Sequence, residues 1–375
     1  MSPTSERASD QKSEFVKFLG SLTAFTGDLS AITSPAFLLN GLSMTEYSAY
    51  YMDYPVYFKS INCDDPTERL INVVRWFISQ LHGSYASRVP EKKPYNPILG
   101  EQYFANSEGL SLSVEQTSHH PPVTSFHLTG NQVEATGQVK QKSSFKGTWI
   151  QVIPYGRVVL KTPKDTYLIS LPQLALRGLF SGNVFIELVG QVKIVSKSGY
   201  LAQFEFIPKA WFSGQYHTFK VDLFNKDKEV FANITGKWTE SCTIKFTAAY
   251  AGHDTSERIL FDVESEKKIP VVNKPVEEQG HLETHQVWGK VSQALKDGNF
   301  SMASKFKTEV EEEQRRLKKE RKETDAEWKP QHFVFKKDEE NEEILELTRL
   351  MARIWNIGAR AEEEVDGVKV VYLLI

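Results

Sequence analysis

Length, composition and charge limit the class of this protein before any motif is considered. The chain has 375 residues, 40% of them hydrophobic and 12% aromatic, so it can build a substantial core in one large domain or in two to three average ones. Its formal net charge of −3 provides no global field that would draw it to nucleic acid or to an anionic membrane, so an anion must meet a local cluster. The two cysteines, Cys63 and Cys242, exclude a disulfide framework and fit a reducing compartment.

The N-terminal region predicts a short helix behind a disordered start. Residues 1–12 are polar and mixed in charge, unlike a signal peptide, and no run in the chain reaches the roughly 18 apolar residues of a membrane span. From Phe15 to Phe25 apolar residues recur at helical spacing, and Gly27 can end the helix. This one-sided helix either packs permanently on the core or serves as a movable lid or membrane-touching segment, and the spacing alone does not separate these alternatives.

The rest of the chain divides into a helical stretch, a strand-rich body and a second helical stretch. Apolar residues at 71, 74, 77, 78 and 81 share one helical face behind Pro66. From about residue 100 to 250 apolar residues alternate with polar ones, and glycine-containing turns separate the runs. This predicts a large antiparallel sheet or barrel within one domain, because cutting such a sheet would expose long edges. Helix returns over 285–325, and an acidic stretch and an apolar ending follow.

Two proline-containing segments hold candidate functional residues. Residues 115–122 read Glu-Gln-Thr-Ser-His-His-Pro-Pro, in which the prolines stiffen the backbone beside His119 and His120. This is either a tight turn with two solvated histidines or a rigid donor pair for an anion, a metal or a polar head group. Residues 93–101 read Lys-Pro-Tyr-Asn-Pro-Ile-Leu-Gly-Glu, where Lys93 supplies a cation and Asn96 a donor and an acceptor on a proline-fixed loop. By itself this segment fits a proline-rich connector.

A third candidate lies on the second helical stretch. Lys307, Glu311 and Arg315 follow one another at intervals of four residues, so they share one face of a helix. Taken alone, these residues fit a salt-bridged surface helix.

Signatures of enzymatic chemistry are missing from the sequence. The histidine pair lacks the HExxH pattern or the third ligand of a zinc hydrolase, and no Walker A or Rossmann glycine pattern occurs. Two Gly-x-Ser matches, at 41–43 and 109–111, lack the final glycine of a nucleophile elbow, although a scattered Ser-His-Asp triad would leave no pattern. No zinc finger or RNA-binding signature is present. We therefore expect no catalytic residue, metal, cofactor or nucleic-acid partner.

The three segments together resemble the fingerprints of the oxysterol-binding protein family, usually written EQxSHHPP, KPxNPxLGE and KxxxExxxR. The resemblance covers roughly residues 13–330 and is to short, fungal-type members that consist of the lipid-binding domain alone. It implies a β-rich α+β fold: a large incomplete antiparallel β-barrel around a lipid tunnel, with an N-terminal helical lid and a C-terminal helical region. It also implies that phosphatidylinositol 4-phosphate is held by its head group through Lys93, Asn96, His119, His120, Lys307, Glu311 and Arg315.

The chemistry of these seven residues agrees with a phosphorylated ligand. Five potential donors around one site are costly unless an anion neutralises them. Lysine and arginine clamp phosphate oxygens, and the histidines can donate and gain charge as a dianion approaches. Asn96 and Glu311 are suited to order ring hydroxyls, and Glu311 would hold both neighbouring cations in an empty site.

The resemblance also sets domain boundaries and a second ligand. It assigns 1–12 to a disordered start, 13–335 to one lipid-binding domain and 336–375 to a divergent tail; within the domain, 13–30 is the lid, 31–90 helical, 91–260 the β-barrel and 261–335 the C-terminal helical region. The implied lid and tunnel residues are Phe18, Leu22, Leu29, Ser30, Ser84 and Tyr85. A sterol hydroxyl in the family meets a polar group near Ser84, where well-known sterol binders have a glutamine, and the shorter serine can bond through water.

We therefore expect a monomeric, non-enzymatic lipid-transfer protein that exchanges phosphatidylinositol 4-phosphate and a sterol between membranes. It would be cytoplasmic and transiently peripheral on Golgi, endoplasmic reticulum or other organelle membranes. A phosphoinositide sensor or regulator without net transfer fits the same residues. A hydrolase that uses the histidine pair is a third hypothesis.

Overall fold

A computed structural model describes residues 35–86, 92–119, 121–181, 183–209, 214–248, 254–334, 342–355, 362–365 and 368–371, together with 13, 15–18, 20–22 and 29. Its α-helices are α1 (Pro55–Ser60), α2 (Pro66–Tyr85), α3 (Thr284–Lys296), α4 (Phe300–Glu323) and α5 (Glu342–Trp355), and 3₁₀ segments cover Ala36–Leu38, Met44–Met52 and Val276–Glu278. The strands are β1 (Leu39–Ser43), β2 (Lys93–Tyr95), β3 (Gln102–Ser107), β4 (Leu110–His119), β5 (Pro122–Gly130), β6 (Val133–Phe145), β7 (Ile150–Lys161), β8 (Thr166–Ile169), β9 (Gln173–Arg177), β10 (Phe185–Ser196), β11 (Leu201–Ile207), β12 (Thr218–Phe224), β13 (Val230–Lys237), β14 (Ser241–Phe246), β15 (Arg258–Asp262), β16 (Glu362–Val365) and β17 (Val368–Val371).

One antiparallel sheet of 13 strands dominates the structure. Its order is β15-β14-β13-β12-β11-β10-β8-β7-β6-β5-β4-β3, and β9 pairs with both β10 and β7. Within the described part of the chain, the end strands β3 and β15 do not pair with each other, so the sheet is not a closed barrel. The predicted β-rich α+β class with an incomplete antiparallel barrel is therefore confirmed.

The sheet curls around helix α2. Asp65 caps the helix by accepting a hydrogen bond from the Glu68 backbone N–H at 2.8 Å, and Pro66 occupies its first turn. Most of its apolar side chains are buried in a cluster that also holds Tyr103 of β3 and Phe261 of β15. Strands lie about 4.8 Å apart, so a flat sheet of this width could not bring both end strands to one cluster. The helix therefore packs against the concave side of the sheet.

A glycine in the middle of β7 shows how closely neighbouring strands approach. Gly156 has φ +137°, and a Cβ there would lie 2.0 Å from the Gln138 carbonyl oxygen of β6. A side chain is thus excluded at this point, where the two backbones approach closely.

The β3 end of the sheet is covered by irregular chain. The Gln102 backbone N–H donates to the Leu282 carbonyl at 2.8 Å, and Asn106 exchanges two backbone hydrogen bonds with Val272. The region 261–335, predicted to be helical, thus contains a long extended segment before α3, and this segment protects the sheet edge.

Helix α5 packs on the convex face of the sheet. Leu347 is buried against Leu168, Val195 and Leu201, whose neighbours in sequence point to the concave side. The Trp355 ring meets Phe224 with centroids 5.4 Å apart. Part of the segment predicted to be a divergent tail therefore contacts the domain; the predicted domain boundaries themselves stay a prediction.

The N-terminal residues that the structure describes are partly buried. Leu22 lies in a helical turn and is 1% exposed, Leu29 is also buried, and Phe18 is half-buried; Ser30 lies outside the described residues. Among the described helices, none is long and apolar enough to cross a membrane.

Replacing Phe77 in α2 should strongly destabilise the protein. This side chain is 1% exposed and its ring meets Phe204 of β11 at 5.2 Å, so Phe77→Ala removes buried area and leaves a cavity. We expect the free energy of unfolding in urea to fall by about 3–5 kcal/mol. Val56→Ala is the control, because Val56 is exposed on α1 and should change the same quantity by about 0.5 kcal/mol or less. Equal effects would place α2 outside the core.

Candidate functional site

A cleft of about 1100 Å³ lies between the residue 93–99 segment, the end of β4 and helix α4. Six of the seven predicted head-group residues line it: Lys93, Asn96, His119, Lys307, Glu311 and Arg315. His120 lies outside the described residues. The structure thus brings together residues more than 200 positions apart in sequence, while their contact with a head group stays a prediction.

Lys93 lies in a short strand and Asn96 follows it directly, whereas the sequence predicted a fixed loop. The strand β2 pairs in parallel with β1, so Lys93 and the two residues after it are extended. Tyr95 faces away from solvent and stacks on Trp288 of α3, with ring centroids 4.4 Å apart. Its hydroxyl lies 2.9 Å from the Ser292 hydroxyl. These contacts attach the segment to α3, while Asn96 is exposed towards the cleft.

Glu101, at the end of the same segment, has a structural role. Its carboxylate is fully buried and accepts hydrogen bonds from Trp288 Nε1 at 2.9 Å, the Ile98 backbone N–H at 3.0 Å and the Thr45 hydroxyl at 3.0 Å. The Thr284 hydroxyl reaches the same carboxylate at 3.0 Å. Burial raises the pKa of Glu101, and the hydrogen bonds from Trp288, Ile98 and Thr45 oppose the rise by favouring the charged form. The carboxylate therefore ties the cleft segment to α3 and to the 44–52 turn.

His119 stands at a hairpin turn. It is the last residue of β4 and pairs with Pro122, the first residue of β5, so it lies where the two strands of the hairpin meet. The polar side chains before it bond within the hairpin: the Gln116 amide donates to the Ser118 carbonyl at 2.8 Å and accepts from the Thr124 hydroxyl at 2.6 Å. His119 therefore lines the cleft at the end of a hairpin whose own side-chain hydrogen bonds fix its shape.

Helix α4 supplies the opposite wall. Its N-terminus is capped by Asn299, which accepts from the Met302 N–H at 3.1 Å, and its apolar face packs on α3 through the buried Ala303. The Lys307 ammonium donates to Glu311 at 2.5 Å, as expected for an i, i+4 pair, and only 13% of the lysine side chain is exposed. Arg315 follows one turn later on the same face, so the sequence spacing does place these three residues together.

A strap after α4 forms a further wall that the sequence did not suggest. Asp325, Ala326, Glu327 and Trp328 line the cleft, and the Trp328 ring lies so close to Gly100 that a Cβ there would be 2.4 Å from it. The strap is anchored by Glu115, the first residue of the histidine motif. Its buried carboxylate accepts from the backbone N–H groups of Gln331 and His332 at 2.8–3.1 Å.

The predicted tunnel residues are separate from the cleft. Ser84 and Tyr85 lie at the end of α2 and are not among the residues that line it. The Ser84 hydroxyl donates to Gln80 Oε1 at 2.6 Å, and the Tyr85 ring meets Trp238 at 6.3 Å. Burial raises the pKa of Tyr85 to about 12, so its hydroxyl stays protonated. The end of α2 is thus a second, mostly apolar environment with a few polar groups.

Sequence and structure comparisons agree with one another. The family model described as oxysterol-binding protein matches residues 18–352, nearly the whole chain. The chain is similar to protein kes1 of Schizosaccharomyces pombe, at 37% identity over 361 residues that cover 91% of this chain and 92% of the relative.

Two solved structures show the same fold. An Osh1 ORD domain in complex with cholesterol has a TM-score of 0.71 at 19% identity and covers 94% of this chain and 84% of its own. An Osh3 ORD in complex with PI(4)P from Saccharomyces cerevisiae has a TM-score of 0.67 at 21% identity and covers 85% of this chain and 86% of its own.

Removing the Glu115 carboxylate should release the strap. In Glu115→Ala the N–H groups of Gln331 and His332 lose a charged acceptor, and hydrogen bonds to charged groups contribute about 1.5–3 kcal/mol. We expect amide hydrogen exchange at these two residues to accelerate by about tenfold or more, measured by mass spectrometry. Glu134→Ala, at an exposed position on β6, is the control and should leave this exchange unchanged. Equal rates in Glu115→Ala and the wild type would contradict the anchoring role.

His285 should make stability depend on pH. Its Nε2 lies 3.1 Å from Glu46 Oε1, and this contact raises the histidine pKa although burial opposes the rise. A raised pKa in the folded state stabilises the protein fully below the unfolded value of about 6.5, and the contribution is lost as pH rises through the folded value. The free energy of unfolding should therefore fall more from pH 5.5 to 8.5 in the wild type than in His285→Gln. The same fall in both proteins would show that the contact does not couple protonation to folding.

Proposed function

Because the chain belongs to the oxysterol-binding protein family, we propose that it is a non-enzymatic protein that carries lipids between membranes, with phosphatidylinositol 4-phosphate as one cargo. The observation that carries this proposal is the convergence of six predicted head-group residues on one cleft. We further propose that the protein acts as a cytoplasmic monomer and touches Golgi, endoplasmic reticulum or other organelle membranes transiently.

The charge of the cleft suits a phosphorylated head group. The predicted head-group residues bring three cations into it, Lys93, Lys307 and Arg315, against the one carboxylate of Glu311. Arg315 is exposed, and its planar guanidinium can donate two hydrogen bonds to phosphate oxygens. Lys307 offers a compact ammonium charge at the more buried end of the cleft. Glu311 holds Lys307 in position and has a further oxygen that can accept from an inositol hydroxyl.

Carriage through water requires the acyl chains to be covered. Each methylene that leaves water gains about 0.8 kcal/mol, so an uncovered lipid would return to its membrane. We propose that the concave side of the sheet, around α2, provides the cover and that the N-terminal helix with Phe18 and Leu22 closes it. In this proposal Leu29 and Ser30 belong to the same lid.

A sterol is proposed as the second cargo. One solved relative is described in complex with cholesterol and another with PI(4)P, which supports alternate occupancy by the two lipids. Ser84 and Tyr85 at the end of α2 offer hydroxyl groups in an apolar setting, where a sterol hydroxyl would need a polar partner. The two cargoes would share the interior, so one would leave as the other enters.

Loss of the histidine pair should abolish head-group capture. We expect wild-type protein to extract phosphatidylinositol 4-phosphate from liposomes, and His119→Ala/His120→Ala to lose at least about tenfold in extraction, since charged hydrogen bonds are removed. His127→Ala is the matched control, because His127 lies in the same hairpin on β5 but does not line the cleft. Undiminished extraction by the double variant would refute the head-group assignment.

A transfer assay between two liposome populations separates carriage from sensing. Net movement of a fluorescent phosphoinositide from donor to acceptor vesicles is the expected result. Extraction without movement would instead indicate a sensor, and mass spectrometry of recovered lipid would reveal any turnover by a hydrolase.

A further inference from the structure

Helix α4 has its charges divided between two faces. The cleft side holds five cations and one carboxylate: Lys307, Arg315, Lys318, Arg321, Lys322 and Glu311. The charged residues of the helix that do not line the cleft are five glutamates with Lys305, Arg316 and Lys319. With 3.6 residues per turn, the two sets lie on opposite sides of the helix. A chain of net charge −3 therefore presents one strongly positive strip.

Most cations of this strip have no carboxylate partner within the part of the chain that the structure describes. On the outer face Arg316 pairs with Glu313 at 2.7 Å and with Glu320 at 3.0 Å, and Lys319 lies 3.7 Å from Glu323. On the cleft side Lys307 pairs with Glu311. Throughout the described ranges, Arg315, Lys318, Arg321 and Lys322 form no ion pair with a carboxylate.

The strip also extends beyond the predicted head-group residues. Lys318 lies about 4.5 Å further along the helix axis than Arg315, and Lys322 about 10.5 Å further, at 1.5 Å per residue. The side chain of Lys307 is 13% exposed, whereas Lys318 and Lys322 are exposed. The cleft therefore has a deep half at Lys307 and a shallow half, open to solvent, at Lys318, Arg321 and Lys322.

We propose that Lys318, Arg321 and Lys322 form a docking face for an anionic membrane surface. Each lysine or arginine near an anionic bilayer strengthens binding by about fivefold, and the glutamate-rich outer face of α4 would be repelled by the same surface. Charge complementarity thus orients the helix with its cleft side towards the lipid phosphates. Asp325 and Glu327 of the strap line the same cleft and reduce, without cancelling, its positive charge.

This inference rests on the proposed function only in naming the docked membrane as the source of the head group that enters the deep half. It is tested with the whole 375-residue chain and vesicles that contain no phosphoinositide. Phosphatidylcholine vesicles with and without phosphatidylserine are compared in a co-sedimentation assay, for the wild type and for Lys318→Gln/Arg321→Gln/Lys322→Gln. We expect this triple variant to lose at least about tenfold in binding to phosphatidylserine vesicles.

The matched control changes the same charge on the other side of the same helix. Lys305→Gln/Arg316→Gln/Lys319→Gln should retain binding at least about fivefold tighter than the first triple variant. Equal losses in the two variants would show that only net charge matters and would overturn the docking face. Unchanged binding of the first variant to phosphatidylserine vesicles would overturn it too.

Calorimetry with a soluble short-chain phosphatidylinositol 4-phosphate distinguishes this inference from the proposed function. Both triple variants should match the wild type there, because neither alters the deep half. A loss confined to the cleft variant in this assay, with vesicle binding unchanged, would assign the three cations to the head-group site instead. If no protein binds the soluble lipid but the vesicle results hold, the docking face stands and the proposed cargo is wrong.

Discussion

The buried carboxylate of Glu101 is the contact on which the arrangement of the cleft depends. It connects the residue 93–99 segment, the 44–52 turn and the first turn of α3 through four donors. Burying an ion costs several kcal/mol unless hydrogen bonds replace the lost water, so these donors stabilise the carboxylate where it is. Helix α4 packs on α3, and Tyr95 stacks on the same Trp288 that donates to Glu101. The positions of both the residue 93–99 segment and α4 therefore depend on contacts to the Glu101 carboxylate or to α3, which it binds.

The fingerprint segments combine residues that line the cleft with residues that hold the fold. In the histidine motif, Glu115 anchors the strap and Gln116 bonds within the hairpin, while His119 lines the cleft. In the lysine motif, Lys93 and Asn96 line the cleft and Glu101 is internal. A fixed spacing of cleft-lining and anchoring residues keeps the cleft wall in register with the core. The effect of a substitution in these motifs thus depends on which of the two roles it removes.

The sequence predicts best what depends on local repetition. The apolar spacing of α2, the alternation in the strands and the shared face of Lys307, Glu311 and Arg315 are local patterns, and the structure contains all three. Flanking prolines suggested a loop at Lys93, but its pairing with β1 makes a short strand, since the partner is more than 50 residues away.

The sequence did not allow us to predict that the strap and the second half of α4 line the cleft. The bonds from Glu115 to Gln331 and His332 join residues more than 200 positions apart, and nothing near Glu115 in sequence indicates them. Lys318, Arg321 and Lys322 lie in a helix rich in both signs of charge. Their common exposure to the cleft becomes visible only once Ala303 and Phe306 fix which side packs on α3.

The two edge strands of the open sheet, β3 and β15, are protected from pairing with other molecules in different ways. At β3 the irregular chain around Val272 and Leu282 occupies backbone donors and acceptors that another molecule could otherwise pair with. At the other end β15 is only five residues long, with Arg258 exposed at its start. A short, charged edge and a covered edge both discourage strand-to-strand association. Within the described residues, both ends of the sheet therefore leave little backbone that a strand of another molecule could pair with.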